Sequence, residues 1–457
     1  MSDASSVRAA PRGPCRPLFS ALALVAAALP VYAQAPPPLP RAATVPPTAP
    51  QRLPEWLRVG VEHRGRLEGP VNAGFNDTRD DAYWLNRFRF DVQVKPSRLL
   101  SFRVQAQDAQ VFGRNNKPDA PPFEDALDLR MAYADIGQTG KSPVLVRLGR
   151  QELAFGEQRL VGHANWVNTA RTFDAARVTL ARKTFRIDGF ASSVVTMRDG
   201  DFNRSRQGES FYGAYSSFMA IVPKATVEPY VLARNVRTAT AESGVLGRLE
   251  SVTVGARWVG KLVAGLDYNT EMALQRGSLV SDDISAWAGH WLVGRTTGAK
   301  GSLRVSSEYN YASGDSDPKD GKRNTFDQLY PTAHDKYGLA DQVGWRNVRH
   351  LRTAVDVKPN PKWTISGSYH SWWLASTTDG LYAASGAVLV RPVPGFTNSH
   401  VGQELDAQAT FPLSPRVQLS GGYAYIIPGA FLKAATPGKG YSFPYVMVTS
   451  TILRGDR

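Results

Sequence analysis

The fold is decided by residues 84–95, which read WLNRFRFDVQVK. Phe88 and Phe90 fall on one parity of this stretch, and Arg87 and Arg89 fall on the other. An alternation with period two is typical of a β-strand that has one apolar and one strongly polar face. The same alternation recurs at 251–259, 301–311, 401–411 and 416–427. The chain is therefore predicted to consist largely of two-faced strands.

Extending this pattern along the chain predicts eighteen strands, most of them about as long as a tilted strand that crosses a bilayer. The strands are expected near 56–67, 83–95, 101–111, 127–137, 144–151, 172–182, 184–195, 211–222, 226–236, 250–259, 262–274, 285–295, 301–311, 347–358, 362–374, 401–411, 416–427 and 443–453. Short connections such as 96–98 alternate strictly with long ones such as 312–346. This layout predicts an all-β, transmembrane, antiparallel outer-membrane barrel with short periplasmic turns and long extracellular loops.

A soluble β-sandwich would also alternate, but three features favour the barrel. Eighteen strands are many for a sandwich, the connections are asymmetric, and the polar faces are rich in charge, which suits the wet lumen of a closed sheet. Aromatic residues near the strand ends are consistent with interfacial girdles. These aromatic residues are Trp56, Tyr83, Trp84, Trp258, Trp287, Trp363, Trp373, Tyr425 and Tyr445.

Composition and the N-terminus agree with export. With 21% charged residues and a mean hydropathy of −0.29, the chain is too polar for a bundle of membrane helices. Residues 1–33 contain a basic stretch, an apolar run and small residues before a cleavage point after Ala33, which predicts a secretory signal peptide. Residues 34–54 are rich in Pro and Ala and are expected to be a linker. The barrel domain is therefore expected to span residues 55–457.

The formal net charge is +14, and Arg is more frequent than Lys. The residues on the polar parity of the strands are therefore of interest, because they would face the lumen of the barrel. The basic residues on the polar parity are Arg87, Arg89, Lys95, Arg103, Arg130, Arg147, Arg177, Arg186, Arg257, Arg304 and Arg352. Acidic residues of the same parity are Asp91, Asp188, Asp267, Glu271, Glu308, Asp356, Glu404 and Asp406. Rows of Arg would select anions. Alternatively, the charges pair across strands and form a hydrated wall.

Two regions resemble the alginate export family. One is GRQELAFG at 149–156, followed by RTFDAAR at 171–177; the other runs from YNYASGDSD at 309–317 through NTFDQLYP at 324–331 to HDKYG at 334–338. The resemblance implies an eighteen-stranded outer-membrane barrel with an Arg-lined constriction for an anionic uronic-acid polymer. It makes Arg150, Arg171, Asp174 and Arg177 candidates for the constriction or for the loop that shapes it. It also implies periplasmic export components as partners.

Weaker sequence signals concern three other functions: calcium binding, catalysis and nucleic-acid binding. Residues 315–321, DSDPKDG, resemble a calcium loop, but the distal Glu is missing and a solvated loop is the favoured interpretation. The seven His are scattered, without a His-x-x-x-His pair or a Gly-x-Ser-x-Gly elbow, so an outer-membrane hydrolase, with His163 or His334 at the barrel rim, is a minor alternative. Nucleic acid is not expected as a partner, because the Arg residues alternate along strands.

The sequence thus predicts a passive outer-membrane channel, with no cofactor and no enzymatic activity. Its cargo would be an anionic polysaccharide, such as an alginate-like polyuronate, or a smaller anionic solute, and its surroundings would be outer-membrane lipid. A general or anion-selective nutrient porin is the alternative within transport.

Overall fold

The computed structural model describes residues 53–453 except 118, 139–140, 220, 242 and 299–301. The predicted signal peptide and all but the last two residues of the predicted linker lie outside the described residues. Eighteen long strands dominate the described part: β1 (Leu57–Glu68), β2 (Tyr83–Val94), β3 (Leu100–Phe112), β4 (Asp125–Ile136), β5 (Val144–Gln151), β6 (Phe173–Ala181), β7 (Phe185–Thr196), β8 (Glu209–Phe218), β9 (Ala225–Thr240), β10 (Leu246–Lys261), β11 (Leu266–Leu279), β12 (Asp282–Thr297), β13 (Ser302–Ala312), β14 (Val348–Lys358), β15 (Thr364–Leu374), β16 (His400–Ser414), β17 (Val417–Pro428) and β18 (Tyr441–Leu453).

The strands form a closed antiparallel barrel. Each strand pairs with the next in sequence, and β18 pairs with β1 through contacts such as Glu68 with Tyr445. Closure leaves no free sheet edge, which is what a bilayer requires because lipid cannot hydrogen-bond an exposed backbone. The prediction of eighteen strands is confirmed. No helix among the described residues is long and apolar enough to cross a membrane.

The remaining described elements are small and lie in connections. Helix α1 spans Ala430–Ala435, and two 3-10 turns span Ala73–Phe75 and Val263–Gly265. Short strand pieces occur at Arg204–Ser205, Lys322–Arg323, Leu381–Tyr382 and Val388–Val390.

The two faces of the wall follow the predicted parity. On β2, Phe88 and Phe90 are exposed on the outside, whereas Arg87 and Arg89 are buried on the lumen side. The apolar outer face suits contact with lipid. The girdle interpretation is wrong for Tyr83 and Tyr445, because both face the lumen. The Tyr83 hydroxyl donates a hydrogen bond to Glu68 at 2.6 Å, and the ring of Tyr445 packs edge-on against Trp166.

The connections alternate in length except at two points. Strands β9 and β10 are longer than predicted and are joined by residues 241–245, and β11 and β12 are joined by residues 280–281 alone. Val280 takes a positive φ of 59°, as tight hairpin turns require. These two hairpins continue the alternating pattern outward, so the expected long loops there are replaced by strand.

Two long connections fold into the barrel. We call residues 152–172 inner loop A and residues 313–347 inner loop B. They join through a parallel bridge between Val161 and Tyr330, in which Gly162 N donates to Tyr330 O and Tyr330 N donates to Leu160 O, both at 2.8 Å. Pairing of this kind satisfies backbone groups that would otherwise be buried without partners.

Apolar side chains of the inner loops and of the upper wall form a core inside the barrel. Phe173, Phe211 and Phe326 are fully buried there, together with Trp345 and Trp372. Burial of large aromatic side chains contributes strongly to stability. The inner loops are therefore packed parts of the fold, and they restrict the lumen to the space along its wall.

Candidate pore lining

Five arginines from neighbouring strands lie together on the lumen face. Arg64 and Arg66 belong to β1, Arg87 and Arg89 to β2, and Arg130 to β4; we call them the arginine row. Alternate residues of a strand share one face, so β1 and β2 each contribute two arginines to the same side. In the β1–β2 pairing Arg64 is directly opposite Arg87. All five residues are less than a tenth exposed.

Neutral acceptors on β3 orient two members of the row. Arg89 Nε donates to the side-chain oxygen of Gln107 at 2.7 Å, and Arg130 Nη1 donates to that of Gln105 at 2.6 Å. An amide oxygen fixes a guanidinium group as a carboxylate would, but it leaves the positive charge uncompensated.

Inner loop A provides further neutral acceptors. Arg64 Nη1 and Arg87 Nη1 both donate to the main-chain oxygen of Asn165, at 2.8 and 3.0 Å, and Arg66 Nη1 donates to that of Trp166 at 2.6 Å. The guanidinium of Arg66 also lies over the Trp166 ring, 3.8 Å from its centroid. These contacts hold inner loop A against the arginine row, but because the acceptors are neutral they do not compensate the positive charges of the arginines.

Carboxylates compensate only part of the charge. Glu62 contacts Arg87 and Arg89, Glu68 contacts Arg66, and Glu152 contacts Arg130, so three carboxylates face five guanidinium groups. Apart from Arg66 Nε, which lies 2.6 Å from a carboxylate oxygen of Glu68, four buried nitrogens of the row have no hydrogen-bond partner among the described residues: Arg64 Nε, Arg87 Nε, Arg89 Nη2 and Arg130 Nε. Buried donors without partners are costly, so an entering anion would gain interactions that the protein alone does not make.

Two members of the row, Arg89 and Arg130, border a cavity of about 390 Å³. Arg103, Glu62 and Asp91 also line it from the wall, and Glu152 and His163 line it from inner loop A. Burial raises the pKa of Glu152, but Arg130 and the nearby His163 more than offset this and hold it below its usual value. Glu152 is therefore ionised at neutral pH. For His163, burial lowers the pKa, which keeps the imidazole neutral at pH 7.

The predicted arginines of the other strands are all paired with acids. Each of them contacts a carboxylate of a nearby strand: Arg103 with Asp91, Arg147 with Asp135, Arg177 with Asp188, Arg257 with Glu228, Arg304 with Asp267 and Arg352 with Glu308. Here the cross-strand pairing that the sequence left open as an alternative describes the wall. Of the predicted lining residues, Arg87, Arg89 and Arg130 are the ones gathered into the row.

Arg150 and Asp174 do not line the lumen, which corrects the expectation drawn from the resemblance. They pair with each other at 2.8 Å across β5 and β6, at positions that share the face of the exposed Leu148 and Val178. The connection after β7 reaches over them, since Ser205 donates to Asp174. The pair joins this connection to the outside of the wall.

Arg171 closes inner loop A at the outer end of the barrel. Its Nη1 donates to the main-chain oxygens of Gly162 and Pro331, at 3.1 and 3.0 Å, so it ties inner loop A to inner loop B. Arg171 lines a different cavity, of about 380 Å³, above the arginine row.

A buried polar belt crosses the opposite wall. His290 Nδ1 lies 2.8 Å from the side-chain oxygen of Asn310, the amide nitrogen of Asn310 lies 2.9 Å from His350 Nδ1, and His350 Nε2 lies 2.9 Å from His370 Nδ1. His370 Nε2 then contacts Asp406 at 3.0 Å. The three histidines are fully buried. We call these five residues the polar belt.

The polar belt and its neighbours fasten inner loop B. Asp406 and Glu404 accept hydrogen bonds from the backbone nitrogens of Leu339 and Ala340, at 3.3 and 3.0 Å. The indole nitrogen of Trp372 donates to the main-chain oxygen of Tyr337 at 3.0 Å. The loop is thus held in the lumen by directional bonds as well as by apolar packing.

Comparison with known proteins identifies the family. The family described as "Alginate export" matches residues 55–445, which is most of the chain. The chain belongs to the alginate export family. The resemblance noted in the sequence is therefore confirmed. A comparison with curated protein sequences gave no match.

Solved outer-membrane proteins of Pseudomonas aeruginosa share the fold of this alginate export family member. OpdK, solved with vanillate, has a TM-score of 0.60 and 11% identity over 87% of this chain and 98% of its own. OccK3 (OpdO) has a TM-score of 0.57 and 14% identity over 87% and 95%. OccK11 (OpdR) has a TM-score of 0.54 and 13% identity over 86% and 95%. Family and fold together place this protein in the outer membrane as a β-barrel channel.

The weaker sequence signals have structural roles in this family member. The carboxylate of Asp315 accepts the backbone N–H groups of Asp317 and Asn324, which caps a turn. Among the described residues, no group of three His, Cys, Asp or Glu side chains is placed to hold a metal ion. His334 stacks on Trp166 at 3.7 Å and donates to Asp341.

Sequence reasoning missed Arg64 and Arg66. The signal was present, because Glu62, Arg64 and Arg66 alternate in the first strand with Val61 and Leu67. Glu152, His163 and Asn165 had no such signal, since nothing in their spacing shows that inner loop A turns into the barrel.

Proposed function

We propose that this channel passes carboxylate-bearing anions, either an alginate-like polyuronate or smaller uronates, along the arginine row. The observation that supports the proposal is the uneven compensation of charge. Five guanidinium groups of the row face three carboxylates, while Arg257 and Arg304 elsewhere on the wall each contact two. A narrow, water-poor passage lined by surplus positive charge concentrates anions and repels cations.

The geometry supports transfer from one site to the next. Arg64 and Arg66 follow each other along β1, as Arg87 and Arg89 follow each other along β2, at the spacing of alternate residues, roughly 7 Å. A carboxylate can accept two N–H donors from one guanidinium group and then move to the next. Because Gln105, Gln107 and the carbonyl of Asn165 already hold the side chains in place, little ordering of the row is needed when the anion arrives.

Reversal potentials in planar bilayers under a KCl gradient test the proposal. The wild-type channel is expected to prefer chloride, and a double substitution, Arg89→Gln with Arg130→Gln, is expected to lower the anion-to-cation permeability ratio severalfold. Arg304→Gln is the matched control: it also removes one lumen charge, but from a site paired with Asp267. A cation-selective wild-type pore, or equal effects per charge removed at both sites, would contradict the proposal.

A second candidate, a porin for small anions only, is favoured by the way the inner loops divide the lumen. They are bonded to each other and leave one cavity of about 390 Å³ at the arginine row and another of about 640 Å³ beside Arg159 and Arg304. Oligouronates of increasing length distinguish the two candidates. Passage or reversible block by long oligomers supports the polymer channel, whereas effects confined to monomers and dimers support the small-anion porin.

A further inference from the structure

An outer pocket lies above the arginine row, where the outer connections meet. Its volume is about 380 Å³, which is within the range of small-molecule sites. Its walls are mainly apolar and come from separate connections: Pro122, Met197, Pro331, Ala333 and Ala384 line it. Because these residues converge from four connections, the cavity depends on how those connections pack against one another.

Arg171 provides a cationic group in this apolar setting. Its Nη1 is occupied by the main-chain oxygens of Gly162 and Pro331. Its Nε and Nη2 make no hydrogen bond to any of the described residues. These two nitrogens lie on one edge of the guanidinium plane and form the fork that matches the two oxygens of a carboxylate.

The charge of Arg171 has no counter-ion in the described part of the chain. Burial lowers the pKa of Arg171 to about 10, and Tyr330 is the neighbour that opposes this change. Arg171 therefore remains charged at neutral pH, although it lacks a carboxylate partner. Asp341 lines the same pocket; its Oδ2 accepts a hydrogen bond from His334 Nδ1 at 2.9 Å, and its Oδ1 has no hydrogen-bond partner among the described residues.

The lining favours an apolar ligand body over a sugar ring. The hydroxyl of Thr332, which faces the pocket, already accepts from Ala164 N at 2.9 Å and donates to Gln158 at 2.8 Å. A uronate would bury several hydroxyls against proline and alanine side chains, and unpaired buried hydroxyls are unfavourable. An aromatic or short aliphatic body would instead gain from contact with those side chains.

We propose that the outer pocket binds small monocarboxylates with an apolar body, the carboxylate on Nε and Nη2 of Arg171 and the body against Pro122, Pro331 and Ala384. This inference rests on the proposed anion channel, because it names one class of anion that the channel receives from outside. The pocket would hold the ligand before it reaches the arginine row.

Benzoate is the test probe, added in a planar bilayer to the side of the long loops. Acetate carries the charge without the apolar body, and benzyl alcohol carries the body without the charge. Benzoate is expected to reduce single-channel current at concentrations at least tenfold lower than either. Ala384→Phe places a large side chain in the pocket and leaves residue 171 as arginine. This substitution is expected to weaken the benzoate effect tenfold or more. Ala387→Phe, exposed on the same connection, is the matched control and is expected to leave it unchanged.

Arg171→Gln tests the charge, with the same tenfold loss expected. If this variant does not fold, because Arg171 ties the inner loops together, Ala384→Phe still decides the matter. Equal potency of benzoate and acetate, or full benzoate sensitivity in Ala384→Phe, would overturn the pocket. Reversal potentials recorded in the same bilayers keep the two proposals apart: an anion-selective channel without benzoate preference refutes the pocket alone, and a cation-selective channel refutes the proposed function.

Discussion

Arg64 and Arg87 lie directly opposite each other across the β1–β2 ladder, and both donate to the main-chain oxygen of Asn165, at 2.8 and 3.0 Å. Like charges at opposite positions of a sheet normally destabilise it. Here a loop carbonyl and Glu62, which accepts from Arg87 at 3.1 Å, offset part of that repulsion. The fold therefore keeps two buried cations side by side, next to Arg89, which lines the cavity of about 390 Å³.

The first prediction separates the charge of Arg64 from its hydrogen bonds. Besides Asn165, Arg64 contacts Val167 O at 3.2 Å and the side chain of Asn168 at 3.4 Å. A lysine keeps the charge but cannot reproduce this fork. Arg64→Lys is expected to retain the anion preference while inner loop A loosens, which would be recorded as increased current noise. Arg64→Gln should instead lower the anion preference. Identical behaviour of the two variants would show that charge and geometry are not separable at this site.

The second prediction concerns Asn168, whose side chain anchors inner loop A. Its amide nitrogen donates to the main-chain oxygens of Asn86, Gln110 and Phe123, at 3.3, 3.1 and 2.9 Å. Asn168→Asp replaces this donor with an acceptor and would place a charge against three carbonyls. It is expected to cost more stability than Asn168→Ala, for which the loss of a buried hydrogen bond is worth about 1–3 kcal/mol.

Thermal unfolding in detergent measures both Asn168 variants. Asn115→Ala is a suitable control, because Asn115 is exposed and donates to Asp81 through its backbone nitrogen, which the substitution keeps. A melting temperature that is unchanged in Asn168→Asp would refute the anchoring role.

The third prediction addresses the polar belt. His350 links Asn310 to His370 and is fully buried, so a phenylalanine there would break the belt in the middle and leave Nδ1 of the buried His370 without its partner. His350→Phe is expected to lower thermal stability and to increase proteolytic cleavage within inner loop B. His400→Phe is the control, since His400 lies at the outer end of β16 beside Trp373. Equal protease resistance of both variants would mean that the belt does not hold the loop.

The wall of the barrel was accessible from sequence because its rule is local. Whether Phe88 faces lipid and Arg89 faces the lumen depends only on strand parity, which the residues themselves display. The same rule would have found Arg64 and Arg66 had it been applied to the first strand. It failed at Tyr83 and Tyr445, where an aromatic residue near a strand end lies on the lumen side.

The inner loops were not accessible, because their contacts are far apart in sequence. The carbonyl of Asn165 meets Arg64 across about a hundred residues, and Tyr330 meets Val161 across a still longer separation. No periodicity encodes such pairings. The family resemblance made Arg150, Arg171 and Asp174 candidate residues, but it did not show on which face of the wall they lie. The structure places Arg150 and Asp174 outside the lumen.

The last prediction uses pH. Burial lowers the pKa of His163 from its ordinary value of 6.5, Glu152 opposes this, and Arg130, Arg89 and Arg171 lower it further. His163 is therefore neutral at pH 7 and gains its proton only in more acidic solution. Protonation adds a positive charge to the cavity at the arginine row, so the anion-to-cation permeability ratio is expected to rise as the pH falls from 7 towards 5. His163→Gln should lose this rise.

The lowered pKa of His163 also predicts how the stability of the fold depends on pH. Because the unfolded chain binds this proton more tightly than the folded one, the contribution of His163 to stability is complete above pH 6.5 and declines as the pH falls below it. Wild type should thus lose more thermal stability between pH 7 and pH 5 than His163→Gln does. Glu152 does not reproduce the effect, since its pKa is held below the usual value for a glutamate and it stays ionised across this range. A pH-dependent selectivity that persists unchanged in His163→Gln would assign the titration to another group.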